Sequence, residues 1–345
     1  MEQRKITTDR LTINARFSGS ADATPVLFIH GNASSSIYWE EMMSQLPAGF
    51  QGIAPDLRGY GDTDDLPIDG TKGFADWVED IKGFLRALNI EKAHWVGHSL
   101  GGAFLFSMIA EAPETFLSAT LVNPGSPFGF GGTKDAHGTP CFDDYAGSGG
   151  GIVNPEFARL IGEQDRSSDN PQASPRVVMN TFYWKPPFVP AQEEDLLSGL
   201  LTQKVGADRY PGDSVASTNY PFVAPGQYGP INAASPKYLG DVIDRFMQSP
   251  QKPKVLWIRG AEDQIVSDNS MFDFGTLGKL GLIPNYPGEE IYPPQPMVSQ
   301  TRYVLDTYQA NGGHYQEVVM DNTAHSPYLE APALFNSHFH AFLTD

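Results

Sequence analysis

Apolar residues along this chain follow two different spacings. Short, almost wholly apolar runs are typical of the buried strands of a parallel sheet. They occur at Val26–Ile29, Ala93–Val96, Ala119–Val122 and Val255–Ile258, and a more polar strand-like run follows at Tyr315–Met320. Leu11–Phe17 instead alternates apolar and polar residues, which predicts a strand at an exposed edge of the sheet.

Longer segments repeat their apolar residues at helical spacing. This spacing predicts helices over Phe74–Leu88, Leu100–Ala112 and Ala331–Leu343. Strands that alternate with helices indicate an α/β fold, in which helices flank both faces of a mostly parallel sheet.

Two stretches depart from this alternation. Residues 125–250 are rich in Gly, Pro and Ser, and the same is true of the shorter stretch 273–296, which predicts irregular insertions. The first stretch holds too many aromatic residues for a disordered linker, so we expect these residues to pack over another part of the folded protein. These residues are Phe128, Phe157, Phe182, Tyr183, Trp184, Phe188, Tyr210, Tyr220, Phe222 and Tyr228.

Composition narrows the possible partners. The 345 residues are 40% hydrophobic, enough for a substantial core, and the net charge of −18 disfavours nucleic acid and anionic membranes. No apolar run approaches the roughly 20 residues that span a bilayer. The single cysteine, Cys141, and a first segment without an apolar stretch predict a cytoplasmic protein. No Cys/His cluster or G-x-G-x-x-G motif occurs, so we expect no metal and no cofactor.

A lone serine stands between the strand at Ala93–Val96 and the following helix. Gly97-His98-Ser99-Leu100-Gly101 is a G-x-S-x-G sequence in the strand–turn–helix context that a nucleophile elbow requires. The two glycines remove side chains that would clash in such a turn. Ser99 is therefore a candidate nucleophile at the carboxyl edge of the sheet, where small molecules bind in this class of fold.

A serine nucleophile needs a base, and the base needs a carboxylate that orients it. His325 follows the last predicted strand and Asp263 follows the strand at Val255–Ile258, so both are expected at the edge that carries Ser99. Glu262 and Asp268 are weaker candidates for the acid. The remaining seven histidines are expected to organise loops, to pack in the fold or to lie on the surface.

Acyl transfer also needs donors for the oxyanion that forms. Gly31 follows the strand at Val26–Ile29 and permits a tight turn, so the N–H of Asn32 could point into the site. The N–H of Leu100, the residue after the nucleophile, is the second candidate donor.

Five motifs in this order resemble the α/β-hydrolase superfamily, and most of all its esterase, epoxide-hydrolase, dehalogenase and C–C-hydrolase branch. They are HGN, PDLRGYGDTD, GHSLGG, GAEDQIV and NTAHSP. The resemblance implies the α/β-hydrolase fold, nucleophile Ser99, general base His325, orienting Asp263, oxyanion donors at Asn32 and Leu100, and motif glycines Gly31, Gly97 and Gly101. It also implies a core of residues 1–124 and 251–345 with an inserted cap (lid) of residues 125–250, and we interpret 273–296 as an extra loop.

The motifs leave several activities open for a small-molecule substrate. A serine at the nucleophile position counts against halide release and epoxide opening, for which the relatives use aspartate. Hydrolysis of a carboxylic ester or lactone of a bulky apolar molecule is the first hypothesis. The alternatives are C–C hydrolysis of a diketone ring-fission product by the same triad, an aminopeptidase-type activity using Glu193, Glu194 or Asp195, and a non-catalytic ligand-binding relative.

Overall fold

The structure is a computed structural model that describes residues 1–345. Its strands are β1 (Glu2–Thr7), β2 (Thr12–Ser18), β3 (Thr24–Ile29), β4 (Phe50–Pro55), β5 (Ala93–His98), β6 (Phe116–Val122), β7 (Val205–Gly206), β8 (Tyr210–Pro211), β9 (Ser214–Ala216), β10 (Val223–Pro225), β11 (Lys254–Gly260) and β12 (Tyr315–Met320). Eight of them form one sheet in the order β1-β2-β4-β3-β5-β6-β11-β12. Within this main sheet only β2 runs antiparallel to its neighbours.

The strand predicted at an exposed edge does not lie at an edge. β2 pairs with β1 on one side and β4 on the other, so Ile13, Ala15 and Phe17 are buried. The edge strand is β1, whose sequence EQRKIT carries charges on its exposed face and gave no apolar pattern from which to predict it. The alternation in β2 reflects a sheet with one buried and one partly covered face, not an open edge.

Thirteen α-helices accompany these strands, and some of them cover the two faces of the main sheet. They are α1 (Glu40–Ser44), α2 (Ala75–Leu88), α3 (Leu100–Glu111), α4 (Pro155–Gly162), α5 (Pro175–Phe182), α6 (Glu193–Leu201), α7 (Pro230–Ala233), α8 (Pro236–Leu239), α9 (Val242–Gln248), α10 (Phe274–Lys279), α11 (Met297–Ala310), α12 (Pro327–Glu330) and α13 (Pro332–Thr344). One buried cluster joins α2, α3, α9 and α11 to the sheet, and a second joins α1 and α13 to its other face. The three predicted helices correspond to α2, α3 and α13 and are confirmed to within a residue at each end.

The chain between β6 and β11, residues 123–253 and called here the inserted segment, is irregular over residues 123–149, as its composition predicted, but not throughout. It contains α4 to α9 and the short strands β7 to β10. These helices have four to nine residues and several begin with a proline after a capping side chain, as in α4 after Asn154 and α5 after Ser174. Elements so short are difficult to recognise in a sequence, because one or two turns give few apolar positions from which to read a helical period. The exact limits of a cap remain a prediction, because α9 packs against α3 and α11.

The parallel strands bring their carboxyl ends to one edge of the main sheet. The loops after β3, β5, β6, β11 and β12 therefore meet there, and they carry His30, Ser99, Asn123, Asp263 and His325. No helix in the described chain is both long and apolar enough to cross a membrane.

Candidate active site

Ser99 occupies the sharp turn between β5 and α3. Its backbone lies at φ 55° and ψ −117°, a conformation that side-chain-bearing residues rarely adopt. A Cβ on Gly97 would come within 2.5 Å of the Gly101 carbonyl, and one on Gly101 would overlap the carbonyl oxygens of Ile29 and His30. Only glycine fits at both positions, so the turn can lift the partly exposed Ser99 side chain out of the sheet edge.

His325 and Asp263 are brought together from two different loops. The Nδ1–H of His325 donates to Asp263 Oδ2 over 2.8 Å, and both side chains are only 3% exposed. His325 Nε2 is left without a partner in the chain and belongs to a residue that lines the same cavity as Ser99. No hydrogen bond joins Ser99 to His325, and catalytic contacts of this kind often tighten only when substrate binds.

The Asp263 carboxylate is held by four donors. Oδ1 accepts from the N–H groups of Ile265 (2.8 Å) and Val266 (3.1 Å), and Oδ2 accepts from His325 and from Asn123 Nδ2 (2.6 Å). The contact of Asn123 with Asp263 was not predicted from the sequence. Its position directly after β6, at the same sheet edge, is the signal that could have found it.

The other candidate acids lie elsewhere. Glu262 points to Lys185 Nζ (2.6 Å), and Asp268 accepts from the N–H and hydroxyl of Ser299 (3.0 and 2.6 Å). Neither carboxylate contacts His325. Asp263 is thus the carboxylate that the fold places against the histidine.

A second histidine supports the loop that carries His325. The Nε2–H of His98 donates to the carbonyl of His325 over 2.7 Å. Burial, with a smaller contribution from neighbouring His325, lowers the pKa of His98 well below its usual value, so His98 stays neutral and keeps this tautomer. His30 similarly organises its loop, because its Nε2 accepts from the N–H of Leu57 (3.0 Å).

The two predicted oxyanion donors are free. Neither the N–H of Asn32 nor that of Leu100, the first residue of α3, makes a hydrogen bond within the chain. A Cβ on Gly31 would lie 3.0 Å from Ser99 Cβ, which shows how closely the loop after β3 approaches the serine. The N-terminus of α3 also directs its positive dipole end toward this point.

These groups open into a cavity of about 390 Å³. Thirty-one residues line it and 21 of them are hydrophobic; Ser99, His325, Asn32 and Leu100 are all among them. No Asp, Glu, Lys or Arg lines the cavity. The site therefore combines a small polar end with a large uncharged wall.

The aromatic residues of the inserted segment divide into two groups. Phe157, Phe182, Tyr183 and Tyr210 line the cavity, whereas the other six named from the sequence lie outside it, and Phe222 and Tyr228 among them are exposed. In the second stretch Phe274 lines the cavity, but Tyr286 instead stacks edge-on with Tyr220 outside it.

A model of the α/β-hydrolase fold family matches residues 24–146, the part of the chain that holds β3 to β6 and the Ser99 turn. Over residues 24–146 the chain belongs to the α/β-hydrolase superfamily. The eight-stranded, mostly parallel sheet has the fold of that superfamily, as its sequence predicted.

Curated relatives of this superfamily member match it over its first part. It is 35% identical over 120 residues to a 2-(acetamidomethylene)succinate hydrolase of Mesorhizobium japonicum, and 30% identical over 129 residues to a 2-hydroxy-6-oxo-6-phenylhexa-2,4-dienoate hydrolase of Burkholderia cepacia. These matches cover 35% and 36% of this chain and 42% and 43% of the two relatives. The chain thus spans less than half of the length of either relative.

Solved structures of the superfamily match over the whole chain. The esterase RhEst1 of Rhodococcus sp. ECU1013 superposes with a TM-score of 0.61 at 19% identity and covers 100% of this chain and 99% of its own. An enol-lactonase of Burkholderia xenovorans LB400 superposes with a TM-score of 0.59 at 16% identity over 99% of this chain and 100% of its own. At these identities the likeness establishes the fold alone.

Proposed function

We propose that the protein is a serine hydrolase that cleaves an uncharged carboxylic ester or lactone with a bulky apolar body. The observation that carries this proposal is the cavity: it combines Ser99, His325 and two free N–H groups at one end with a wall that bears no charged side chain. The hydrolase names of its curated relatives support the reaction class.

The proposed chemistry follows from the positions of these groups. The Ser99 Oγ electron pair forms a bond to the carbonyl carbon while its proton passes to His325 Nε2. The carbonyl π electrons move to oxygen, where the N–H groups of Asn32 and Leu100 stabilise the charge. Collapse breaks the C–O bond, and the leaving alkoxide takes the proton from His325. Water then attacks the acyl-enzyme by the same steps and regenerates Ser99.

The charge of the cavity favours esters over the diketone alternative. The names of the first two relatives denote carboxylate substrates, a dienoate and a succinate. A carboxylate buried without a cation or several donors is costly, and neither Lys nor Arg lines this cavity. The net charge of −18 also repels an anionic substrate at long range.

The peptidase alternative lacks an acid in the cavity. Glu193 accepts from Arg176 (2.8 Å), and Glu194 pairs with Arg176 and Arg166, on the outer side of α6. Neither these acids nor Asp195 lines the cavity, so no carboxylate there would bind a substrate amine.

A four-substrate comparison tests the proposal. We expect kcat/KM for p-nitrophenyl octanoate, or for a bulky lactone, to exceed that for a ring-fission dienoate by about 10²-fold or more, because the dienoate must bury its charge. Faster turnover of the dienoate would move the assignment to the C–C hydrolases. Faster turnover of an amino-acid p-nitroanilide would support the peptidase, and no turnover of any substrate would support a non-catalytic relative.

A further inference from the structure

The two candidate oxyanion donors are held by different parts of the molecule. Leu100 begins α3, so its N–H is fixed by a helix that packs on the main sheet. Asn32 lies in an irregular loop after β3, so the position of its N–H depends on what holds that loop.

Groups from the main sheet's own loops hold the first half of this turn. The carbonyl of Gly31, which shares a peptide unit with the Asn32 N–H, accepts from Ser34 Oγ (2.9 Å) and from His30 Nδ1 (2.8 Å). The hydroxyl of Tyr60 donates to Asn32 Oδ1 over 3.0 Å.

The second half of the turn is held from the inserted segment. The N–H of Ala33 donates to Gln203 Oε1 over 3.0 Å, and the carbonyl of Ala33 accepts from the Tyr183 hydroxyl over 3.0 Å. The same hydroxyl lies 3.4 Å from the carbonyl oxygen of Asn32. Gln203 is itself anchored, because its Nε2 donates to the carbonyl of Gly59 over 3.3 Å.

The backbone at this point needs such support. Ala33 has a φ of 44°, in the left-handed region that is unfavourable for a residue with a Cβ. Gln203 and Tyr183 are 3% and 8% exposed, so water does not replace them easily. Burial raises the pKa of Tyr183, which therefore keeps its proton and donates it.

We propose that Gln203 and Tyr183 are positioning residues that hold the Ala33 peptide in its left-handed turn and thereby aim the Asn32 N–H at the oxyanion. The inference rests on the proposed function, and it goes further by making the inserted segment part of the catalytic geometry rather than only a wall over the cavity. A catalytic donor that is displaced by about 1 Å can cost 10²-fold in rate. The two contacts that fix the Ala33 peptide can therefore affect the rate although neither touches the substrate carbonyl.

Two variants test this role. Gln203→Leu removes the acceptor of the Ala33 N–H at nearly constant size, and Tyr183→Phe removes one hydroxyl while it keeps the ring that lines the cavity. For p-nitrophenyl octanoate we expect kcat to fall about 10- to 100-fold in each variant and KM to change less than about threefold. Tyr183→Phe decides the question if Gln203→Leu does not fold.

Matched controls separate the loss of positioning from a general effect of removing a buried hydrogen bond. Tyr308→Phe removes a buried hydroxyl that donates to the carbonyl of Pro253 (2.8 Å), far from the cavity. Gln164→Leu removes a glutamine of the inserted segment that donates to the carbonyl of Leu201 (2.6 Å). We expect both controls to keep wild-type kcat.

A pair of ketones gives the readout that a merely structural role would not change. An octyl trifluoromethyl ketone becomes a hemiketal oxyanion on Ser99, whereas the matching methyl ketone reports binding of the chain alone. We expect the Ki of the fluorinated ketone to rise with the loss in kcat/KM and the Ki of the methyl ketone to stay constant.

Each other outcome counts against the inference. Folded variants with wild-type kcat, or an equal loss of affinity for both ketones, would overturn it and leave the proposed function intact. If the wild-type protein turns over no ester or lactone at all, the proposed function fails and the inference fails with it.

Discussion

Loops of the main sheet carry Ser99, Asp263 and His325, whereas the inserted segment carries Phe157, Phe182 and other aromatic walls of the same cavity. The first region is regular, and each of its three groups lies in the loop that follows a strand. The second region consists of short helices, two-stranded ribbons and loops. Under the proposed function, the reaction and the choice of substrate therefore have separate structural origins, joined where the inserted segment contacts the Asn32 loop.

The largest effect that tests the separate roles of the two regions is expected at Asp263, the acid in the loop after β11. We expect Asp263→Asn to lower kcat by about 10³- to 10⁴-fold, because an amide at this position disturbs the tautomer and orientation of His325. Steady-state kinetics with p-nitrophenyl octanoate measure the effect. Glu262→Gln is the matched control, since this neighbour pairs with Lys185 and is expected to stay within threefold of wild type. A severe Glu262→Gln and a near-neutral Asp263→Asn would show that the acid is misassigned.

The next largest effect concerns residues 273–296, whose stability depends on the buried carboxyl of Asp273. Asp273 caps α10 and accepts from the N–H groups of Thr276 (3.0 Å) and Gln295 (3.2 Å), while its Oδ1 has no partner. Burial raises its pKa to about 6. Because this exceeds the unfolded value of about 3.9, the folded state binds the proton more tightly, and stability from this group falls as pH rises from about 4 to 6.

Urea unfolding of wild type and Asp273→Asn at pH 4 and pH 7 tests this expectation. The free energy of unfolding of the variant, taken relative to wild type, should increase by up to about 3 kcal/mol between the two pH values, because only wild type loses stability by ionising this carboxyl. A difference between the two proteins that does not change with pH would contradict the assignment.

The smallest effect concerns the apolar wall. Each methylene added to the acyl chain should contribute about 0.8 kcal/mol, or roughly fourfold in kcat/KM, until the cavity is full. A series of p-nitrophenyl esters from acetyl to decanoyl measures the slope. Phe182→Ala should flatten it, whereas Phe222→Ala, an exposed aromatic of the same segment outside the cavity, should not. A steep preference for acetyl would disprove an apolar acyl site.

The same comparison explains what could be predicted from the sequence. The shared position of Ser99, Asp263 and His325 at one sheet edge was predictable, because parallel strands end at one edge and a residue that follows an apolar run has a known place. β1 was missed because an edge strand with an exposed, charged face needs no apolar run. The helices of the inserted segment were missed because four to nine residues are too few for a helical period to stand out between Gly- and Pro-rich loops.

Side-chain contacts between segments that are distant in the chain could not be predicted from the sequence. Gln203 reaches Ala33 across 170 positions, and Asn123 reaches Asp263 across 140. Asn123 at least follows a predicted strand at the correct edge. Gln203 lies just after α6, in a stretch whose pattern indicates no fold, so only the packed structure could place it.

Covalent capture of the nucleophile tests whether a loop of the main sheet supplies the reacting group at the polar end of the apolar cavity. The measurement is peptide mass spectrometry of the protein after treatment with an octyl fluorophosphonate, with Ser99→Ala treated in parallel. We expect one phosphonyl group on the peptide that contains Ser99, and none on the folded Ser99→Ala variant. Labelling of a different residue, or an unlabelled wild-type protein, would contradict it.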